Sequence, residues 1–241
     1  MSATSVIYRR ELNAYIRSPW SWVIMAAALL LAGIAFLAMD LKGEQLSAIV
    51  LERFFWSTSW CTSVAAGLLS IRLVAEDRQT GALVLLNTSP VREVSVVLGK
   101  YLAALTFVAL MVAMTFYMPL LIKIHGKVTT SQIFVGCIGL LLLAAAVLAI
   151  GVFASALAPN QLIAAVITGA VALGMCLLWP LAQNLNSPLR EVLGACDLWW
   201  VHYQQGTQRG VINLKDVIYY LAVIYFFLLV AVKTLEAKRW Q

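Results

Sequence analysis

The hydrophobic positions of this chain fall into six long blocks, and the polar positions collect between them. The blocks run at 20–39, 54–71, 101–122, 133–158, 162–181 and 217–232. Each holds close to the roughly 20 apolar residues that an α-helix needs to cross a bilayer. The last is short, and Lys233 beside it can extend its reach by carrying its ammonium to the interface. No charged residue lies between Val128 and Leu189. At about 1.5 Å per residue that stretch is too long for one crossing, so Pro159-Asn160 is read as the turn between two spans.

Ahead of the first block, residues 3–18 place Val6, Ile7, Leu12, Tyr15 and Ile16 among Arg9, Arg10, Glu11 and Arg17. This pattern predicts an amphipathic helix lying at the membrane interface. Pro19 ends it, and Trp20 and Trp22 stand where an aromatic belt begins. The first block is longer than a signal-peptide core and no small-residue cleavage pattern follows it, so it is expected to remain as an anchor.

Composition agrees with the pattern. Of the 241 residues 62% are apolar and 12% charged, about half the charge of a soluble domain. The blocks are continuous rather than alternating, which excludes a β-barrel and makes the fold all-α. The net charge of +6 does not indicate nucleic acid, because most of the Lys and Arg flank apolar blocks. With the N-terminus inside, ten Lys and Arg fall on the inner side and seven on the outer. By the positive-inside rule both termini are cytoplasmic.

Candidate chemistry is sparse. Cys61, Cys137, Cys176 and Cys196 are scattered, and only His125 and His202 could join them. The cysteines read as small packing residues, with no metal site. Paired carboxylates, a His cluster or a Ser/His pair inside the spans would be needed for an intramembrane enzyme, and none is present. Thr58, Ser59, Thr62 and Ser63 share one broad face of the second block, serving either helix packing or a substrate path. Gly151 and Ser155 form a small-xxx-small pair suited to packing.

Two inter-span segments are long. Residues 182–216 are expected to form an external helical segment between spans five and six. Residues 72–100, on the inner side, begin with Glu76, Asp77 and Arg78, pass Gly81, and continue through Leu83, Leu85 and Leu86. Ser89-Pro90 then has the form of a helix start, with Ser as N-cap and Pro in the first helical position. A short helix at the cytoplasmic surface is a docking element for a soluble partner, or else an ordinary polar loop.

The run Glu76-Asp-Arg-Gln-Thr-Gly81-Ala-Leu, then Leu85-Leu86-Asn-Thr-Ser89-Pro90-Val91, then Val97-Leu98-Gly99-Lys100 resembles the coupling segment of ABC type-2 permeases. Arg10-Glu11-Leu12 with Tyr15 and Ser18-Pro19 resembles that family's N-terminus. Phe153-Ala-Ser-Ala-Leu with Asn160-Gln161 resembles its turn between spans four and five. Arg209-Gly210-Val211-Ile212 with Asp216, Tyr219-Tyr220, Leu235-Glu236 and Arg239-Trp240 is similar to the gliding-motility-associated subfamily. This chain carries Asn213 where that subfamily leads us to expect Asp.

The resemblance, which covers nearly the whole chain, implies a single ABC type-2 transmembrane domain over residues 1–241. It implies a permease in the bacterial inner membrane, exporting an unidentified substrate. The coupling residues would be Glu76, Asp77, Arg78, Gly81, Leu83 and Leu86. Its partners would be an ABC ATPase, a second copy or paralogue, and membrane lipid. The chain has no phosphate-binding G-x-x-x-x-G-K-[ST] loop. ATP and Mg are therefore expected on the separate ATPase, with no cofactor on this chain. The alternative is a membrane scaffold that relays ATPase motion to envelope partners without moving a substrate.

Overall fold

The computed structural model describes residues 2–40, 47–79, 81 and 92–239. Among these residues every regular element is helical, and six helices are long and apolar enough to cross a membrane. Helix α1 (Ala3–Arg17) buries Ile7 and Tyr15 and ends at Ser18. Pro19 opens α2 (Pro19–Ala35) at a first-turn position, where its missing N–H has no partner to lose. The chain then widens into a π-helical turn over Phe36–Asp40.

Helix α3 (Ser47–Gln79) is the longest at 33 residues, close to 50 Å at the rise of an α-helix. It exceeds the expected 54–71 block by about two turns at each end. The apolar block marks only what lipid covers. Past the C-terminal end of the block the Arg72–Glu76 pair at i,i+4 supports the helix, and at the other end Glu52 pairs with Arg209.

The third span is two helices, α4 (Glu93–Thr115) and α5 (Tyr117–His125), broken at Phe116. Pro119 explains the break, since it cannot donate to the Thr115 carbonyl four residues back. The described start of α4 is Glu93, with Arg92 as N-cap; the expected start at Ser89-Pro90 lies outside the described residues.

Helix α6 (Thr130–Leu157) begins with a reciprocal capping box between Thr129 and Gln132. It ends at the anticipated Pro159-Asn160 turn, where Asn160 Oδ1 accepts the Ile163 N–H at 2.8 Å and starts α7 (Gln161–Ala182). A short helix α8 (Leu189–Ala195), a π-helical turn at Trp200–Gln204 and a 3-10 turn at Thr207–Arg209 lead to α9 (Leu214–Arg239).

The centre of the bundle is α3 against α6. Their most apolar windows are 61% and 67% buried, against 17% for α7. Lipid is as apolar as leucine, so helices in a membrane associate through close contact and hydrogen bonds. A Cβ at Gly151 would overlap Ser70 Oγ, and one at Gly136 would overlap the Phe55 ring. One turn beyond Gly151, the Ser155 hydroxyl donates to Ile71 O at 2.8 Å and accepts from the N–H groups of Val74 (3.0 Å) and Ala75 (2.9 Å). Gly151 and Ser155 thus serve packing, as their spacing suggested. On the opposite flank α1 lies along α4, so close that a Cβ on Gly99 would stand 2.9 Å from Ile7 Cγ2. Tyr15 stacks on Phe107 of α4 with ring centroids 5.6 Å apart.

Replacing Gly151 by Val should therefore lower stability by about 1–3 kcal/mol, the range for overpacked sites. Gly174, where an added Cβ meets nothing within 4 Å, should accept Ala with no loss. Denaturant titration of the two variants in detergent micelles checks the contrast.

Candidate functional site

The bundle end that carries both termini holds an ionic layer. Glu76, Asp77 and Arg78 form the last turn of α3; Asp77 and Arg78 reach neighbouring helices, and Glu76 pairs with Arg72 of its own helix. Lys100 of α4 is 2% exposed and reaches Asp77 Oδ2 at 2.7 Å and Glu11 Oε1 of α1 at 3.0 Å. Arg10 completes the row with a 2.6 Å contact to the same Glu11 oxygen. Arg72 grips Glu76 in bidentate fashion, Nε and Nη2 each donating at 2.9 Å. Burial works against the charge of Glu11, but Lys100 and Arg10 outweigh it and hold the carboxyl below its ordinary value.

Arg78 turns the other way. Its guanidinium donates to the carbonyls of Ala158 and, at 3.0 Å, Ala156. Lys238 of α9 donates to Ala156 O at 3.2 Å and Leu157 O at 2.8 Å. The last carbonyls of a helix have no partner within it, and cations there are favoured by the helix dipole. Two cations from α3 and α9 thus close the end of α6.

Gly81 follows with φ of 74°, in the left-handed region, and donates its N–H to Arg78 O at 3.3 Å. A side chain there would be strained. Leu83 and Leu86 lie outside the described residues. A cavity of about 260 Å³ opens beside the layer, walled by α1, α3, α4 and the start of α2.

The other end of the bundle is closed by the segment between α7 and α9. Its middle, residues 197–203 with Thr207 and Gln208, is folded in among the helices, while residues 183–193 stay mostly exposed. Asp197 is fully buried and accepts the N–H groups of Trp179 (3.3 Å), Trp199 (3.0 Å) and Val201 (3.0 Å). Burial pushes its carboxyl above the ordinary value, against those hydrogen bonds. His202 Nδ1 lies 2.9 Å from Asp216 Oδ1, and its ring stacks on Tyr219 with centroids 3.8 Å apart. Tyr203 OH donates to Phe55 O at 3.1 Å and Tyr220 OH to Leu198 O at 2.9 Å.

This plug accounts for part of the polar face of α3. Ser59 Oγ accepts from Trp199 Nε1 at 3.0 Å. Thr58 and Thr62 are buried. Ser63 stands apart from them on the wall of an apolar groove of about 230 Å³, between α3, α6 and α7 beneath Trp199. Gly67, Val147, Thr168 and Leu173 also line it. It suits an alkyl chain and offers nothing to a charged ligand.

The sequence singled out Glu76, Asp77 and Arg78 but not their partners. Glu11 and Lys100 each stood in a run that resembles the family, Arg10-Glu11-Leu12 and Val97-Leu98-Gly99-Lys100, but nothing in the sequence paired them. Asp197 was the better clue, a lone carboxylate in the apolar run Leu193–Tyr203.

Six apolar helices, charge confined to the ends and a plugged far face define a multi-pass membrane protein. A family model described as ABC-2 family transporter protein matches residues 5–191, more than three quarters of the chain, and the chain belongs to that family. No curated protein sequence matches it.

Removing one partner of a buried ion cluster strands the others. Lys100→Met should lower stability by about 3 kcal/mol. Adding Glu11→Gln and Asp77→Asn should recover more than half of the loss. The comparison is made by unfolding in detergent micelles. A neutral Lys100→Met would mean that the cluster contributes nothing to holding the three helices.

Proposed function

We propose that this chain is the permease half of an ATP-driven exporter, worked from the cytoplasmic side by a separate ABC ATPase that carries ATP and Mg. Family membership supports the class. The observation that carries the coupling role is the end of α3. Its charged last turn runs directly into a left-handed Gly81, while Asp77 is tied through Lys100 to α1 and α4. A push on this turn reaches three helices at once. We assign docking to Glu76, Asp77, Arg78, Gly81, Leu83 and Leu86.

The excess of Lys and Arg at this end supports cytoplasmic termini in a bacterial inner membrane. The motifs near Arg209–Ile212 support the gliding-motility-associated subfamily. The open face of α7, with Gly169 and Gly174 clear of neighbours and Val166, Leu173 and Leu177 exposed, supports pairing with a second copy or paralogue. The apolar groove favours amphiphilic cargo.

A side chain forced into the left-handed region costs about 1–2 kcal/mol, so Gly81→Val should lower ATP turnover in the permease–ATPase complex roughly 5- to 30-fold while leaving insertion intact. Unchanged co-purification and turnover would remove the assignment. Cysteines placed at Ser5 and Lys238 should resist a membrane-impermeant maleimide in intact cells, and labelling of either would invert the topology. A complex that hydrolyses ATP but moves no labelled amphiphile in vesicles would be a scaffold rather than an exporter.

A further inference from the structure

The cavity beside the ionic layer is polar in a directional way. Its floor is Lys100, 2% exposed, with Glu11 at 14% and Asp77 at 15%. That set carries one cation and two carboxylates, a net charge of −1. Its rim is Arg10, 55% exposed, with Arg72 at 29% and Glu76 at 41%. That set carries two cations and one carboxylate, a net charge of +1. The cavity as a whole is neutral, with a negative floor and a positive mouth. Its volume of about 260 Å³ also takes in Ser18 and Ser21, where the first span enters the bilayer, and one apolar wall formed by Tyr15 and Leu73.

A ligand that matches this order puts a cation inward, an anion at the mouth and an apolar remainder outside. We propose that the cavity binds the phosphoethanolamine headgroup of a membrane phospholipid. The primary ammonium would enter first and donate to Glu11 and Asp77, and the phosphate would lie between the Arg10 and Arg72 guanidiniums. The glycerol and acyl chains then leave past Trp20 and Val23, which are 60% and 54% exposed, at the level where Trp residues mark the headgroup boundary.

The rim pairs are partly exposed, and such pairs contribute little. Arg10 and Arg72 can turn from their carboxylates to a phosphate at small cost and gain a charge-assisted contact. Phosphocholine meets the same mouth but has no N–H to donate to the floor carboxylates. An anionic headgroup with no ammonium meets a floor of its own sign. The inference does not depend on the chain being an exporter.

The test uses the full-length chain in detergent micelles with an equimolar mixture of dioleoyl phosphatidylethanolamine, phosphatidylcholine and phosphatidylglycerol, and counts retained lipids by native mass spectrometry. The wild type should retain phosphatidylethanolamine over either competitor by about tenfold, the size of one or two partly exposed charged contacts. In Arg10→Gln/Arg72→Gln, shown to be folded by its melting temperature, retention of phosphatidylethanolamine should fall about tenfold, because the phosphate loses both guanidiniums. If that variant does not fold, Arg10→Glu, altered mostly in solvent, should produce the same loss. Equal retention of the three lipids by the wild type, or phosphatidylethanolamine retention that is unchanged in the variants, overturns the proposal. Displacement of the lipid by millimolar soluble phosphoethanolamine, with no difference among the lipids, assigns the cavity to a free metabolite and overturns the lipid source.

Discussion

A bilayer supplies no water to a buried polar group, and this single constraint organises the molecule. Every backbone group inside must be satisfied within its own helix, and every polar side chain must find a protein partner or move to an end. The chain meets the demand by sorting. Its middle layer is alanine, glycine, leucine and valine, with hydroxyls that bond to nearby backbone, as Ser155 does across α3. Ionisable side chains stand in two layers at the ends. One is built on Lys100 and its two carboxylates, the other on Asp197 and the His202–Asp216 pair.

The two layers differ in kind. At the plugged end the acceptors are satisfied mainly by backbone N–H groups and aromatic hydroxyls, which fixes the segment between α7 and α9 in place. At the terminal end charged side chains bridge helices that are far apart in sequence, Glu11 to Lys100 to Asp77, and the same turn of α3 leads into Gly81. An ionic near face that joins three helices is what the proposed coupling, worked from one side, requires. Small residues at Gly151, Gly136 and Gly99 bring neighbouring helices into direct contact.

Much of this could be read from residue order. The six apolar blocks, the Pro159-Asn160 turn and the Pro19 boundary all follow from local rules that tertiary contacts did not override. The length of α3 did not follow, because hydropathy reports lipid contact and a helix whose flanking charges find partners continues past it. The break at Phe116 was available in principle from Pro119. The partners in the ionic layer were not. Glu11 and Lys100 stand 89 residues apart, and no periodicity links them. The inward fold of residues 197–203 was hidden because it depends on hydrogen bonds to α3, and only the isolated Asp197 hinted at it. Leu83 and Leu86 fall outside the described residues, so the candidate coupling segment stands on Glu76 to Arg78 and on Gly81.

The claim at the centre of this account is that the terminal end of α3 meets an ATPase and passes its motion to α1 and α4. Hydrogen–deuterium exchange of the purified permease, with and without its ATPase, measures this directly. Slowed exchange at residues 72–81, together with a smaller change across the Lys100 contact in residues 7–15, is the predicted result. Protection confined to residues 196–216, with the end of α3 unchanged, would contradict it.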